Sequence, residues 1–319
     1  MPDRTNDTLL QLDRLIWGLV VATAAVVLAA PFASSFHIEW WSLVPPAGAS
    51  LALYAGAWVY RNWRQDQRLA SGLESTAQLI AFTAVGAPLS YVAVAVGAAI
   101  PLQDNFFDAI DRALGFDWMA LLRFLNESPT LFAGLRVIYG SLLPQMVLAV
   151  LCLAFTGRLV GLRIFILAFI LAALITIAFS AVMPAAGVWL HYGLTEQDSR
   201  VVPVVSTVWP VFTGLRDGTL RALVGLGAEG VITFPSLHAA AAIILIATLW
   251  PVRVLRWPIL AANSMMLVAT PIDGSHYLID VIAGVVIAAL SLLAAHAIAA
   301  KRVSLTQTGN KIPQLVVGD

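Results

Sequence analysis

Residues 163–183 read RIFILAFILAALITIAFSAVM, a run whose only charge stands at its first position. Crossing a bilayer takes about 20 mostly apolar residues in a helix, and this run meets that requirement with no polar face to turn toward water. On either side of it, similar apolar runs lie at about 15–34, 43–60, 76–100, 131–156, 233–250, 255–271 and 276–299. Eight spans are therefore predicted. The whole chain agrees: 60% of its 319 residues are hydrophobic and 11% charged, where a soluble domain carries about a quarter charged. The expected fold is all-α, a polytopic bundle of transmembrane helices. Arg4 and Arg14 precede the first run, but its apolar core exceeds the ~7–15 residues of a signal peptide, so a retained helix is expected.

Basic residues orient such a bundle, because cytoplasmic loops collect Lys and Arg. The N-terminal tail, the even-numbered loops and the C-terminal tail hold twelve, among them Arg61, Arg64, Arg68, Arg158, Arg163, Arg253 and Arg256; the odd-numbered loops hold five. Both termini are thus expected in the cytoplasm. With 18 basic and 18 acidic residues the net charge is zero, which gives no footprint for nucleic acid. The single cysteine, Cys152, excludes an internal disulfide framework and a multi-cysteine metal site.

Two segments do not span. Within 103–127, Phe107, Ile110, Leu114 and Trp118 recur at helical spacing with acids opposite, which predicts a helix lying at the outer interface. The stretch from about 184 to 232 is the longest loop, and long loops between spans are often functional. The chain divides into N-terminal spans and interfacial helix (1–130), a catalytic transmembrane core (131–300) and a cytoplasmic tail (301–319).

Two spans begin with a histidine among polar and turn-forming residues: Thr233-Phe234-Pro235-Ser236-Leu237-His238 and Asp273-Gly274-Ser275-His276-Tyr277-Leu278-Ile279-Asp280. The charge-derived orientation places both on the outer face. Pro235 suits the first turn of a helix, and Ser236 adds a hydroxyl where helix N–H groups favour an anion. His238 stands close enough to protonate a leaving oxygen. His276 and Asp280, four apart, share one helix face about 6 Å apart along the axis. The carboxylate can hold one ring nitrogen and leave the other free to attack. Gly284, two turns on, admits another helix closely. An anion cradle, an oriented nucleophile and a separate acid suit phosphoryl transfer, which is largely positioning and charge stabilisation. No histidine–carboxylate cluster has metal-ligand spacing, so a covalent phosphohistidine route without metal or cofactor is expected.

Pro235-Ser236-Leu237-His238, followed by His276-Tyr277-Leu278-Ile279-Asp280 and Gly284, resembles the last two signature motifs of the type 2 phosphatidic acid phosphatase superfamily. The second motif is similar to the branch of inositol phosphorylceramide synthases and related bacterial membrane proteins. The resemblance implies His276 as nucleophile, Asp280 as its orienting partner, His238 as acid, and Ser236 on a phosphate oxygen. It also implies a bacterial inner (cytoplasmic) membrane location with a periplasmic active site. The family's lysine and arginine–proline motif is absent here, leaving Arg216 and Arg221 as phosphate-binding candidates, and Thr270 stands where the family has arginine. Both departures are similar to the synthase branch and point toward phosphotransfer. The implied substrate is a phospholipid, a sphingolipid or a polyprenyl phosphate, with water or an alcohol as acceptor.

Several residues read first as structural: His37, His191 and His296, with a headgroup contact the alternative for His191; Asp273 as a turn residue, with a catalytic contact the alternative; Tyr139, Pro144 and Gln145 as packing or a kink in the fourth span, with pocket lining the alternative; Ser236 as a helix cap beside its phosphate role; Trp40, Trp41 and Trp118 as interface anchors. Two other functions stay open. An inactive scaffold would keep its role without His276. A transporter, whose ionisable groups mark ion pathways, would place them nearer mid-membrane on broken helices.

Overall fold

The structure is a computed structural model that describes residues 2–200, 209–228 and 230–308. Helices dominate it: α1 (Pro2–Ala33), α2 (Trp40–Asn62), α3 (Gln67–Val96), α4 (Asp104–Ala113), α5 (Trp118–Glu127), α6 (Pro129–Tyr139), α7 (Leu142–Phe155), α8 (Leu159–Val182), α9 (Val188–His191), α10 (Trp209–Asp217), α11 (Leu237–Leu249), α12 (Arg256–Asp273) and α13 (Leu278–Thr308). Two short strands, β1 (His37–Ile38) and β2 (Ala222–Leu223), pair in parallel with His37 opposite Ala222. This bridge ties the α1–α2 link to the long loop.

Among the described residues, four helical stretches are long and apolar enough to cross a membrane: Asn6–Ala33, Gln67–Ala99, Leu159–Val182 and Leu278–Val303. A fifth results if α6 and α7, bent by 45° at their break, count as one span. The remaining expected spans are helical but fall short of that standard. With 13 residues, α11 is about 20 Å long against a hydrocarbon core of about 30 Å. Buried Asn263, Thr270 and Asp273 interrupt the apolar character of α12, and Pro45 and Pro46 sit inside α2.

The helix of the opening run, α8, forms the centre. Leu162, Phe165, Ile166, Leu167, Ala168 and Ile170 are buried on every side of it, and it packs against α1, α3, α11 and α13. Its one charge is not the loop cation expected. Arg163 is fully buried and donates to both carboxylate oxygens of Asp13 at 2.8 and 2.9 Å, to Ser75 Oγ and to the Ser71 carbonyl. Gln78 adds a bond to Asp13, while Glu74 pairs with Arg61 and lies 3.8 Å from Arg163. One ionic knot thus joins α1, α2, α3 and α8. A buried charge costs least where every oxygen is paired, and deleting one partner of such a pair costs about 3–5 kcal/mol.

Residues 103–127 also depart from expectation. Gly115, at φ +79°, breaks the segment into α4 and α5. The acids of α4 do not face water: Asp104 and Asp111 are buried against the protein beside Phe107, while Leu114 is exposed. Trp118 is no anchor either, since it is buried with Nε1 donating to the Pro271 carbonyl at 3.0 Å. Trp40 and Trp41 are exposed as an interfacial role requires. The helix α13 runs through Thr308, so the expected tail starts later; its remainder, 309–319, lies outside the described residues.

Candidate active site

The site forms where α11 and α13 begin and α12 ends. Ser236 is the N-cap of α11, its hydroxyl accepting from Ala239 N–H at 3.3 Å, so the helix starts two residues after Pro235 rather than on it. Likewise α13 starts at Leu278, leaving His276 just outside the helix instead of on its face. The expected pairing survives through the turn. Asp280 Oδ2 lies 3.1 Å from His276 Nδ1 and also accepts from Tyr277 N–H at 2.9 Å. The second oxygen, Oδ1, is buried and takes no hydrogen bond among the described residues.

On the other side of the ring, Nε2 faces Ser236 Oγ at 3.3 Å. An ionised Asp280 draws the ring proton to Nδ1, which leaves the lone pair on Nε2. Because Ser236 Oγ already accepts from Ala239, its own proton is available to point at Nε2.

The two motif segments touch directly. Ser236 N–H donates to the Asp280 carbonyl at 3.1 Å. A Cβ at Gly284 would lie 2.4 Å from the Ser236 carbonyl oxygen, so only glycine lets α13 approach this closely. His238 and His276 both line one cavity of about 310 Å³, together with Tyr139, Thr233, Gly274 and the α3 residues Phe82 and Gly86. Tyr139, at the end of α6, stacks on the His238 ring and places its hydroxyl 3.3 Å from Nδ1. The break between α6 and α7 is bent by 45°, and of the three residues that interrupt the fourth run Tyr139 lines the cavity while Pro144 and Gln145 do not.

A second layer comes from α4. Asp111 accepts from Leu278 and Ile279 N–H at 2.6 and 3.0 Å, capping α13 from another helix. Asp104 accepts from Ala186 and Gly187 N–H at 3.0 and 2.9 Å and from the Tyr277 hydroxyl at 2.9 Å. Asp108 receives the Tyr192 hydroxyl and pairs with Arg112 at 2.8 Å. The signal was present in the spacing of 104, 108 and 111 along one face.

Ser275, at φ +56°, accepts Trp189 N–H on its hydroxyl and Val188 N–H on its carbonyl. These bonds hold a strained backbone immediately before His276. Asp273 ends α12 fully buried, neither carboxylate oxygen taking a hydrogen bond among the described residues, and Arg136 exerts its charge on it.

Arg216 and Arg221 are placed elsewhere. Arg216 donates to the carbonyls of Gly97, Ala98 and Ile100 beyond the end of α3, and burial there lowers its pKa. Arg221 donates to the Leu215 and Leu220 carbonyls and to Ser35 Oγ. Neither lines the histidine cavity. Among the described residues no group of three His, Cys, Asp or Glu is placed to hold a metal ion.

A helical bundle with several helices of membrane-crossing length and composition, and a His–Asp pair, a second histidine and a capping serine at one cavity, fits the class of membrane proteins with a histidine-based site. A family model described as the PAP2 superfamily matches residues 106–294, more than half of the chain, and the chain belongs to that superfamily. The matched segment includes both histidine motifs, and the membership supports phosphatase or phosphotransferase chemistry in general. Comparison with curated proteins and with solved structures gave no match.

Proposed function

We propose that this chain is an integral-membrane lipid phosphatase or phosphotransferase that works through a phosphohistidine on His276. The observation that carries the reading is the line Asp280–His276–Ser236, with His238 opening on the same cavity. Nε2 of His276 attacks phosphorus as the ester P–O bond breaks, and the leaving oxygen takes the Nε2 proton of a protonated His238, which becomes neutral and keeps its other proton on Nδ1 toward the Tyr139 hydroxyl. Phosphorylated at Nε2, the ring becomes more positive, and Asp280, with one oxygen unsatisfied, lies ready to stabilise it. Water or an alcohol then gives its proton to His238 and attacks phosphorus, the P–N bond breaks, and His276 is restored.

Ser236 and the first N–H groups of α11 receive the phosphate oxygens. Arg136, one turn before Tyr139 on α6, supplies positive charge near Asp273. Tyr139 is a positioning residue: its hydroxyl holds Nδ1 so that Nε2 of His238 turns to the leaving group. The apolar lining from Phe82, Phe169, Ala173 and Ile177 favours a lipid, whether phospholipid, sphingolipid or polyprenyl phosphate. The distribution of basic residues supports cytoplasmic termini and an outer-face site, and the resemblance of the second histidine motif to bacterial membrane proteins supports a bacterial inner membrane. With that orientation α2, α11 and α12 complete eight crossings, the shortest of them, α11, packed against α8 and α13.

The test is turnover by purified protein in detergent–lipid micelles containing EDTA, on phosphatidic acid, a polyprenyl diphosphate, phosphatidylinositol and ceramide. Phosphate release or head-group transfer is expected, lost in His276→Ala. His238→Ala should accumulate an acid-labile phosphoprotein. Turnover unchanged in His276→Ala removes the nucleophile assignment, and an inactive scaffold shows no turnover on any lipid while its binding role survives that substitution.

A further inference from the structure

A second cavity, of about 910 Å³, lies between α1 and α2 with α3 as its floor. It is separate from the histidine cavity, and α3 divides them: Phe82, Thr83 and Gly86 face the histidines, while Ala81, Ala84 and Val85 face the second space. On α1 its lining runs from Leu10 to Leu28, a helix length of about 27 Å, close to the thickness of a hydrocarbon core.

The lining has two ends of different chemistry. Asp13, Arg14, Trp17, Arg61 and Glu74 gather at one; beyond Val20 the walls of α1 and α2 are mainly aliphatic, with Ala24 and Val27 across from Leu43 and Ala47. The acids at the polar end are already satisfied. Both Asp13 oxygens are taken by Arg163, one of them shared with Gln78, and Glu74 is taken by Arg61 and Trp17. Arg14 is exposed and makes no hydrogen bond or ion pair among the described residues. Three guanidinium groups, of Arg14, Arg61 and Arg163, thus stand against two carboxylates, and the end of the cleft is left positive. An apolar gallery of bilayer length closed by an unbalanced cation fits one kind of occupant.

We propose that the α1–α2 cleft is a binding site for an anionic membrane phospholipid, its phosphate against Arg14 and Arg61 and an acyl chain along Val20, Ala24 and Val27. This lipid is not the substrate. Its phosphate sits at the level of Glu74, twelve residues before Gly86 along α3, about 18 Å from the histidine cavity along the helix axis.

The proposal is tested by native mass spectrometry of the full chain released from micelles doped with phosphatidylglycerol or phosphatidylcholine. It is independent of turnover, so it can be run on the His276→Ala protein, and failure of the enzymatic reading leaves it standing. One phosphatidylglycerol should remain on the wild type after delipidation, preferred over phosphatidylcholine. Arg14→Gln should reduce that preference about tenfold, the loss of one charge-assisted contact. Ala24→Trp with Ala47→Trp, which fills the gallery and leaves the ionic knot intact, should abolish retention while the protein stays helical and monodisperse. Equal retention in all three proteins overturns the proposal, as does a stable dimer crosslinked through α1 and α2, which would make a second copy the occupant.

Discussion

The phenol ring of Tyr139 lies flat on the imidazole of His238, centroids 4.1 Å apart and planes 14° from parallel, with its hydroxyl 3.3 Å from Nδ1. Tyr139→Phe keeps the stack and removes only the hydroxyl. Turnover on an alkyl phosphate should fall about tenfold, the worth of one orienting hydrogen bond. On an aryl phosphate, whose leaving group needs no proton, the loss should be less than about twofold. No loss on either substrate would make Tyr139 a packing residue only.

Gly284 allows the Ser236 carbonyl to sit where a side chain would otherwise be. The obstacle is backbone, which cannot rotate away, so Gly284→Ala must push α11 and α13 apart at the motif contact. Destabilisation of about 1–3 kcal/mol is expected, with turnover falling further than stability because Ser236 moves relative to Nε2. Thermal unfolding in detergent and kcat on one preparation check this. A fully active, stable Gly284→Ala protein would refute it.

Arg216 spends its donors on three carbonyls beyond the end of α3. Arg216→Ala should therefore lower the unfolding temperature and leave KM within about threefold, since loss of a structural bond does not alter ground-state affinity. A tenfold rise in KM at unchanged stability would instead return this arginine to the phosphate.

Burial raises the pKa of Asp111, a shift that the Leu278 and Ile279 N–H groups oppose and the charge of Asp108 reinforces. A carboxyl raised on folding stabilises the protein below its unfolded value, and that contribution is lost as pH rises through the folded value. Wild-type stability should accordingly lose this contribution as pH climbs from the ordinary aspartate range through the raised one. The difference between wild type and Asp111→Asn should change with pH across that window and be level on either side. A pH-independent difference would show that Asp111 titrates as in water.

Much of the geometry of the histidine site could be read from the chain because its members lie within short stretches. His276, Asp280 and Ser236 occupy fixed places relative to helix starts, and charge placement set both starts on one side. What escaped depends on partners distant in sequence. Helical periodicity told which α4 residues share a face but not that Asp104 and Asp111 reach residues 173 and 168 positions away. Counting arginines treats each as solvated, and so misplaced Arg163, whose Asp13 partner lies 150 residues earlier. Hydropathy windows find apolar runs without measuring the helix that results, which is why α11 and α12 looked like ordinary spans.

The helix α3 lies wholly outside the segment matched by the family, 106–294, yet it supplies Phe82, Thr83, Gly86 and Ser90 to the histidine cavity. The matched segment holds both histidines and part of the apolar lining, Phe169, Ala173 and Ile177, while residues that precede it complete the wall of the cavity. A fragment cut to the family boundaries would retain both histidines and lose one side of its mould. Alignments confined to those boundaries would overlook the α3 wall of the cavity.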